Sequence, residues 1–263
     1  MTTTILQPSP HLALLLTSLA QRYEQPQFLE SDPSFFMHQV QGTANQEVTA
    51  FVASCLSYGS RRAFLPKIQF LVDLAHGDLY QWVTEGLFRH QLPDDNTCFY
   101  RLYSHHAMQQ FFEALLQLLR QYGSLGQWLR HSAQQQCTEH PQLTALQAIE
   151  TICHYFAEQG ITGIVPKNTT SCCKRVCMFL RWMVRTESPI DLGLWADFID
   201  QRTLIMPLDT HVVQQSIQLG LLKSASTSMS AALRLTKILA MVFPNDPLKA
   251  DFALFGYGVD PQY

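Results

Sequence analysis

The sequence predicts an all-α protein, two-lobed with a cleft between the lobes, on three observations. Apolar residues recur at helical spacing through most of the chain. Regular strand alternation is scarce. The helical stretches are punctuated by Pro, Gly and Asn rather than by extended linkers.

Residues 10–23 read as a first helix, and Asp32-Pro33 as a turn. A helix over 45–58 carries Phe51, Ala53, Cys55 and Leu56 on or near its apolar face, and Tyr58-Gly59 ends it. Helices follow at 61–75 and 78–84, then a break at Pro93-Asp94-Asp95-Asn96. Residues 105–121 place Met108, Phe111, Phe112, Leu115, Leu118 and Leu119 on one face. Gly123-Ser124-Leu125-Gly126 closes that helix and starts a short one. Beyond a helix at 143–158, the stretch 160–170 is the clearest loop. Helices are then expected at 171–185, 191–199, 209–218, 228–242 and 247–256. The chain reads as a single compact unit over 1–263, with lobes at 32–160 and 161–258.

Apolar residues make up 47% of the 263 positions, enough for a sizeable core. No apolar run approaches the roughly 18 residues of a membrane span. Leu12–Leu16 is apolar, but no basic region precedes it and no small-residue cleavage pattern follows, so it reads as helix. The seven cysteines are odd in number and scattered, which argues for a reducing compartment, the cytoplasm, over a disulfide framework. Cys172, Cys173 and Cys177 cluster, but without the paired spacing of a structural zinc site, and they read as local thiols. No metal and no cofactor is expected. The net charge of −3 counts mildly against nucleic acid, although only the potential of the binding face decides.

The most informative helix is 171–185. Val176, Phe179, Leu180 and Met183 share one face, with Lys174, Met178, Arg181 and Arg185 opposite. Lys174 stands near the start of this basic stripe, beside a capping region at Asn168-Thr169-Thr170-Ser171. Two readings compete: a solvated face of an amphipathic helix, or a stripe that positions a nucleic-acid backbone. Further on, Pro207-Leu208-Asp209-Thr210-His211-Val212 opens a helix with Asp209 where an N-cap belongs. By itself it reads as a capping aspartate.

Together these motifs carry a resemblance. Lys174-Arg-Val-Cys-Met-Phe-Leu180 followed by Pro207-Leu-Asp-Thr-His-Val212 resembles the core signature of the helix-hairpin-helix DNA glycosylases, nearest in motif to 8-oxoguanine DNA glycosylase. More closely, from about Asp32 to Gly258, the chain resembles DUF2400, an uncharacterised bacterial family. The motifs of that resemblance stand here at 173–185, 207–211 and 251–256.

The glycosylase resemblance implies base excision from DNA, with Lys174 and Asp209 catalytic. Lys174 would attack the sugar C1′ and form a Schiff base. A lysine amine is protonated near neutral pH and must lose its proton to act. Asp209 would assist that loss and stabilise positive charge on the sugar. His211 would face a phosphate, as would Lys167, Arg175, Arg181 and Arg185. Met178, Asp251 and Phe255 would line the pocket of a flipped-out base, with Phe255 stacking and Asp251 reading its edge. A carboxylate there suits the N–H donors of guanine, so an oxidised guanine is the expected lesion. The packing alternatives are a core role for Phe255 and a helix-start charge for Asp251.

The chain departs from the best-known members in three places. Val165-Pro166-Lys167-Asn168 and the residues after it replace the Leu-Pro-Gly-Val-Gly hairpin, and a capped loop with Lys167 takes its place in this reading. Asp209 lies 35 positions after Lys174, a longer separation. The C-terminal four-cysteine cluster is missing, so no iron–sulfur cluster is expected. Damaged DNA is the expected partner, with neither a membrane nor an obligate protein partner. Three alternatives stay open: a non-catalytic nucleic-acid-binding protein, an N-glycosidic hydrolase of a free nucleoside or nucleotide, and an all-α scaffold.

Overall fold

Ser9 opens the first helix: its hydroxyl accepts from the Leu12 amide at 3.2 Å, and Pro10 sits in the first turn, where a missing N–H costs nothing. The same logic recurs where Asp78, Ser104, Asp209 and Ser228 each cap the helix that follows them. The structure, a computed structural model, describes residues 7–136 and 142–259. Cys137 lies outside the described residues.

In chain order the helices are α1 (Pro10–Tyr23), α2 (Phe35–His38), α3 (Thr43–Leu56), α4 (Arg61–Leu74), α5 (Leu79–Thr84) and α6 (Phe88–Gln91). A short antiparallel hairpin, β1 (Cys98–Tyr100) with β2 (Tyr103–Ser104), leads into α7 (His105–Tyr122) and α8 (Leu125–Gln136). Then come α9 (Ala145–Glu158), α10 (Lys174–Val184), α11 (Thr210–Gln218), α12 (Met229–Leu239) and α13 (Lys249–Val259). The protein is mostly helical, as its periodicity predicts, and no helix among the described residues is long and apolar enough to cross a membrane.

The helix expected at 191–199 does not form. Gly193 adopts a positive φ of 64°, and the segment turns back over the end of α10. There the Leu192 amide donates to the Trp182 carbonyl at 2.7 Å, and the Trp195 amide to the Met183 carbonyl at 2.7 Å. The amides that would have made a helix instead satisfy the last carbonyls of α10. The β1–β2 hairpin was also not expected; its strands are too short to show alternation.

The chain divides into two compact units. One holds Leu29–Gln142 and Glu150–Asn168; the other holds the chain up to Phe28, Leu143–Ile149, and everything from Thr169. In this division α1 groups with the C-terminal helices.

In the first unit, α7 buries the apolar face its spacing announces: Met108, Phe111, Phe112, Leu115, Leu118 and Leu119 are all buried. Phe111 stacks on Phe156 at 5.7 Å between ring centres, and Phe51 packs on both. A second cluster joins Trp82, Phe88 and Phe112. Buried Glu47 of α3 accepts from the Gly126 amide at 3.0 Å, placing a carboxylate at the positive end of α8.

In the other unit, α1 packs along α13 and buries Leu16, Leu19 and Ala20. Gly256 allows this approach, because a Cβ there would overlap the Tyr23 ring. Helix propensity favours Ala over Gly by about 0.5–1 kcal/mol, whereas overpacking costs about 1–3 kcal/mol. Gly256→Ala is therefore expected to lower the urea midpoint, and adding Tyr23→Ala to restore part of the loss. A rise in midpoint for the single variant would show that the ring yields freely.

Helix α10 runs through this unit buried on all sides from Val176 to Val184. The two-faced helix expected over 171–185 is thus corrected. Arg181 and Arg185 are 3% and 1% exposed, and their guanidiniums are held by carboxylates. Arg181 donates to Asp191 at 3.3 Å and to Asp251; Arg185 donates to Asp191, to Asp246 at 2.7 Å and to Glu24 at 2.7 Å. The Phe252 ring lies against both guanidiniums, 4.8 Å and 5.3 Å from its centre. A charge with so little exposure cannot face a DNA phosphate; burial forces it to take its counter-ions from within the unit.

Candidate active site

Asp209 divides its two carboxylate oxygens between two tasks. Oδ1 accepts from the Val212 amide at 2.9 Å and caps α11. Oδ2 lies 3.3 Å from Nζ of Lys174, the first residue of α10. Both side chains are about a third exposed, at 33% for Lys174 and 32% for Asp209. The pair therefore joins the starts of two helices and stays open to solvent.

Stability does not explain this arrangement. A cation at a helix start opposes the helix dipole, at a cost of about 0.3–1 kcal/mol. A partly exposed ion pair returns about 0–1 kcal/mol. The two roughly cancel, and the capping bond needs only Oδ1. The lysine amine is left with a carboxylate oxygen beside it and open to solvent.

Local structure fixes the lysine from behind. Cys173 is the N-cap residue of α10, with a left-handed φ of 47° and no side-chain capping bond of its own. The Cys172 amide donates to the Thr227 carbonyl at 3.1 Å, tying this turn to the entrance of α12. The Cys172 thiol donates to the Leu208 carbonyl at 3.2 Å, directly before Asp209. The Cys177 thiol in turn donates to the Cys172 carbonyl at 3.4 Å. Burial pushes the Cys172 thiol above its ordinary pKa, and it pushes that of Cys177 much further. Both thus stay protonated and able to donate. Among the described residues, no group of three or more His, Cys, Asp or Glu is arranged to hold a metal.

Cys172, whose thiol ties the start of α10 to the residue before Asp209, was not singled out in the sequence. It reads there as one of three clustered thiols, and nothing in a linear sequence couples position 172 to position 208.

The remaining expected site residues are distributed as follows. Arg175 is half-buried in the first turn of α10, and His211 is exposed in the first turn of α11. Met178 is buried one turn after Lys174. Lys167 is exposed and belongs to the other unit. Phe255 packs edge-on against Phe28 at 5.0 Å and Tyr23 at 6.0 Å, within the α1–α13 packing. Asp251, expected at a base edge, gives its carboxylate to buried Arg181. A concavity of about 470 Å³ lies in the first unit, lined by Arg89, Asp94, His106, Glu113 and several glutamines. Arg89 pairs there with Glu113, the His106 ring meets Asp94 at 2.6 Å, and the concavity contains neither Lys174 nor Asp209.

No curated protein matches the chain, and no solved structure does. One family model, described as a protein of unknown function, DUF2400, matches residues 32–260. That span takes in Lys174, Asp209, Cys172 and the buried arginines with three of their four carboxylate partners, and the chain belongs to the DUF2400 family.

Proposed function

We propose that this protein is a base-excision enzyme of the helix-hairpin-helix glycosylase type, acting on DNA through a Schiff base on Lys174. The observation that supports it is the 3.3 Å approach of Lys174 Nζ to Asp209 Oδ2 at two helix starts.

Asp209 takes a proton from Nζ. The amine lone pair then forms a bond to C1′ of the deoxyribose, and the C1′–N bond to the base breaks. The base leaves with that electron pair and takes up the proton that Asp209 received. The sugar ring opens as a proton passes from nitrogen to O4′, giving an iminium between Nζ and C1′; loss of the C2′ proton to solvent then expels the 3′ phosphate. Asp209, freed of its proton, stabilises the positive charge on the sugar and nitrogen. Arg175 and His211, in the first turns of the two helices, are the side chains proposed to hold the flanking phosphates. With the Asp251 carboxylate given to Arg181, oxidised guanine loses its proposed recognition residue, and the lesion is chosen by other groups.

Borohydride reduction tests the chemistry. Protein mixed with a duplex bearing an abasic site or 8-oxoguanine is expected to yield a covalent band on a denaturing gel, absent with Lys174→Gln. No band on either duplex with folded protein would overturn the reading.

A further inference from the structure

The most exposed large apolar side chain among the described residues is Leu102, at 81%. It stands at the tip of the β1–β2 hairpin beside Arg101, whose φ of 51° marks a left-handed turn. The tip is braced. The Arg101 guanidinium lies over the Tyr58 ring at 4.8 Å, and the Tyr100 hydroxyl donates to the Tyr58 carbonyl. Gly59, at a φ of 93°, lies directly beneath the Arg101 guanidinium. Leu102 is therefore an apolar side chain held in solvent on a fixed mount.

The surroundings are basic against the trend of their unit. Residues 29–142 and 150–168 hold eight Lys and Arg against twelve Asp and Glu, a net charge of −4. Yet four of the eight, Arg61, Arg62, Lys67 and Arg101, belong to the hairpin tip and the first two turns of α4, which the hairpin packs against. Lys67 lies over the Phe99 ring at 5.1 Å, and Phe99 also meets exposed Phe70 at 6.2 Å. Two acids face this group: Asp32, 3.7 Å from Arg61, and Asp95 at the base of the hairpin, 3.5 Å from His105, whose ring packs on Phe99.

We infer that the β1–β2 hairpin and the start of α4 form a duplex-binding surface, with Leu102 entering the base stack between phosphates held by Arg101, Arg61, Arg62 and Lys67. Cations hold a polyanion by releasing its counter-ions, and an apolar wedge between base steps opens the stack. A membrane would ask for a broad apolar face, whereas here one aliphatic group stands among cations. This surface deepens the DNA reading above but does not use the Lys174 chemistry.

The test is binding of the full chain to a fluorescent duplex across a salt series, with 2-aminopurine in a second duplex. Replacing Arg61, Arg62, Lys67 and Arg101 together by Gln is expected to flatten the log–log salt slope by about 3–4, at roughly 0.9 per phosphate contact. Leu102→Ala is expected to keep the slope but lose the 2-aminopurine signal of unstacking. Its far-UV spectrum and melting should not change, because Leu102 buries little. If the hairpin variants bind and unstack like wild type while Lys174 still traps, this inference falls and the glycosylase reading stands. If Lys174 traps nothing but the hairpin variants lose binding, the reverse holds. Binding to anionic vesicles with none to duplex would overturn the inference in favour of a membrane.

Discussion

Arg185→Met is expected to destabilise the protein by about 3–5 kcal/mol, because it removes the cation that three carboxylates share. Arg185 is 1% exposed and serves Asp191, Asp246 and Glu24 at once. Burial alone would lower its pKa, but the hydrogen bonds it donates to Asp246 and the charges of Asp191, Asp246 and Glu24 outweigh burial and raise it. Arg185 therefore stays charged. Methionine fills similar volume and keeps the contact with Phe252, so the loss measured is mainly electrostatic.

The pH dependence separates this from a packing defect. Asp191 is fully buried, and burial already raises its pKa above the ordinary carboxylate value, against the opposing pull of Arg181 and Arg185. Removing Arg185 raises it further. A carboxyl with a folded-state pKa above its unfolded value contributes stability below the unfolded value, and that contribution is lost as pH rises through the folded one. The deficit of Arg185→Met should thus be smaller near pH 5 than near pH 8, read from urea midpoints at the two values. An equal deficit at both would locate the loss in packing.

The second large effect is expected from a pair of substitutions at Asp209. Asparagine keeps an oxygen for the Val212 amide, so Asp209→Asn should hold the melting temperature near the wild type. Asp209→Ala should cost about 0.5–2 kcal/mol through the lost cap. Both remove the carboxylate beside Lys174. If that carboxylate acts in catalysis, both should lower excision by about 10²–10³-fold, the size seen on removing one preorganised group at a reacting centre. Loss of activity in Asp209→Asn without loss of stability would assign the residue to chemistry. Full activity in Asp209→Asn would return it to helix capping alone.

Much of this protein could be read from its sequence. Expected helices at 10–23, 61–75, 105–121 and 209–218 are present with ends shifted by one residue at most. Helix periodicity is a local property, carried by residues three and four apart, and caps such as Ser9 and Asp209 lie within three residues of the amides they satisfy. The chemical types at Lys174 and Asp209 were equally visible.

What each charged residue does was decided elsewhere. Lys174, Arg181 and Arg185 all look alike on a helical wheel. In the tertiary structure Lys174 stands a third exposed beside Asp209, while Arg181 and Arg185 vanish into a network. Their partners come from Glu24, Asp191, Asp246 and Asp251, as distant as 161 positions. The thiol of Cys172 reaches Leu208 across 36 positions in the same way. The sequence by itself determined where most of the long helices lie, because hydrogen bonds within a helix close over four residues. Only the tertiary structure decided which charges are neutralised and which remain available. That choice depends on which faces lose water when α1, α10 and α13 pack together, and burial is a property no single helix possesses.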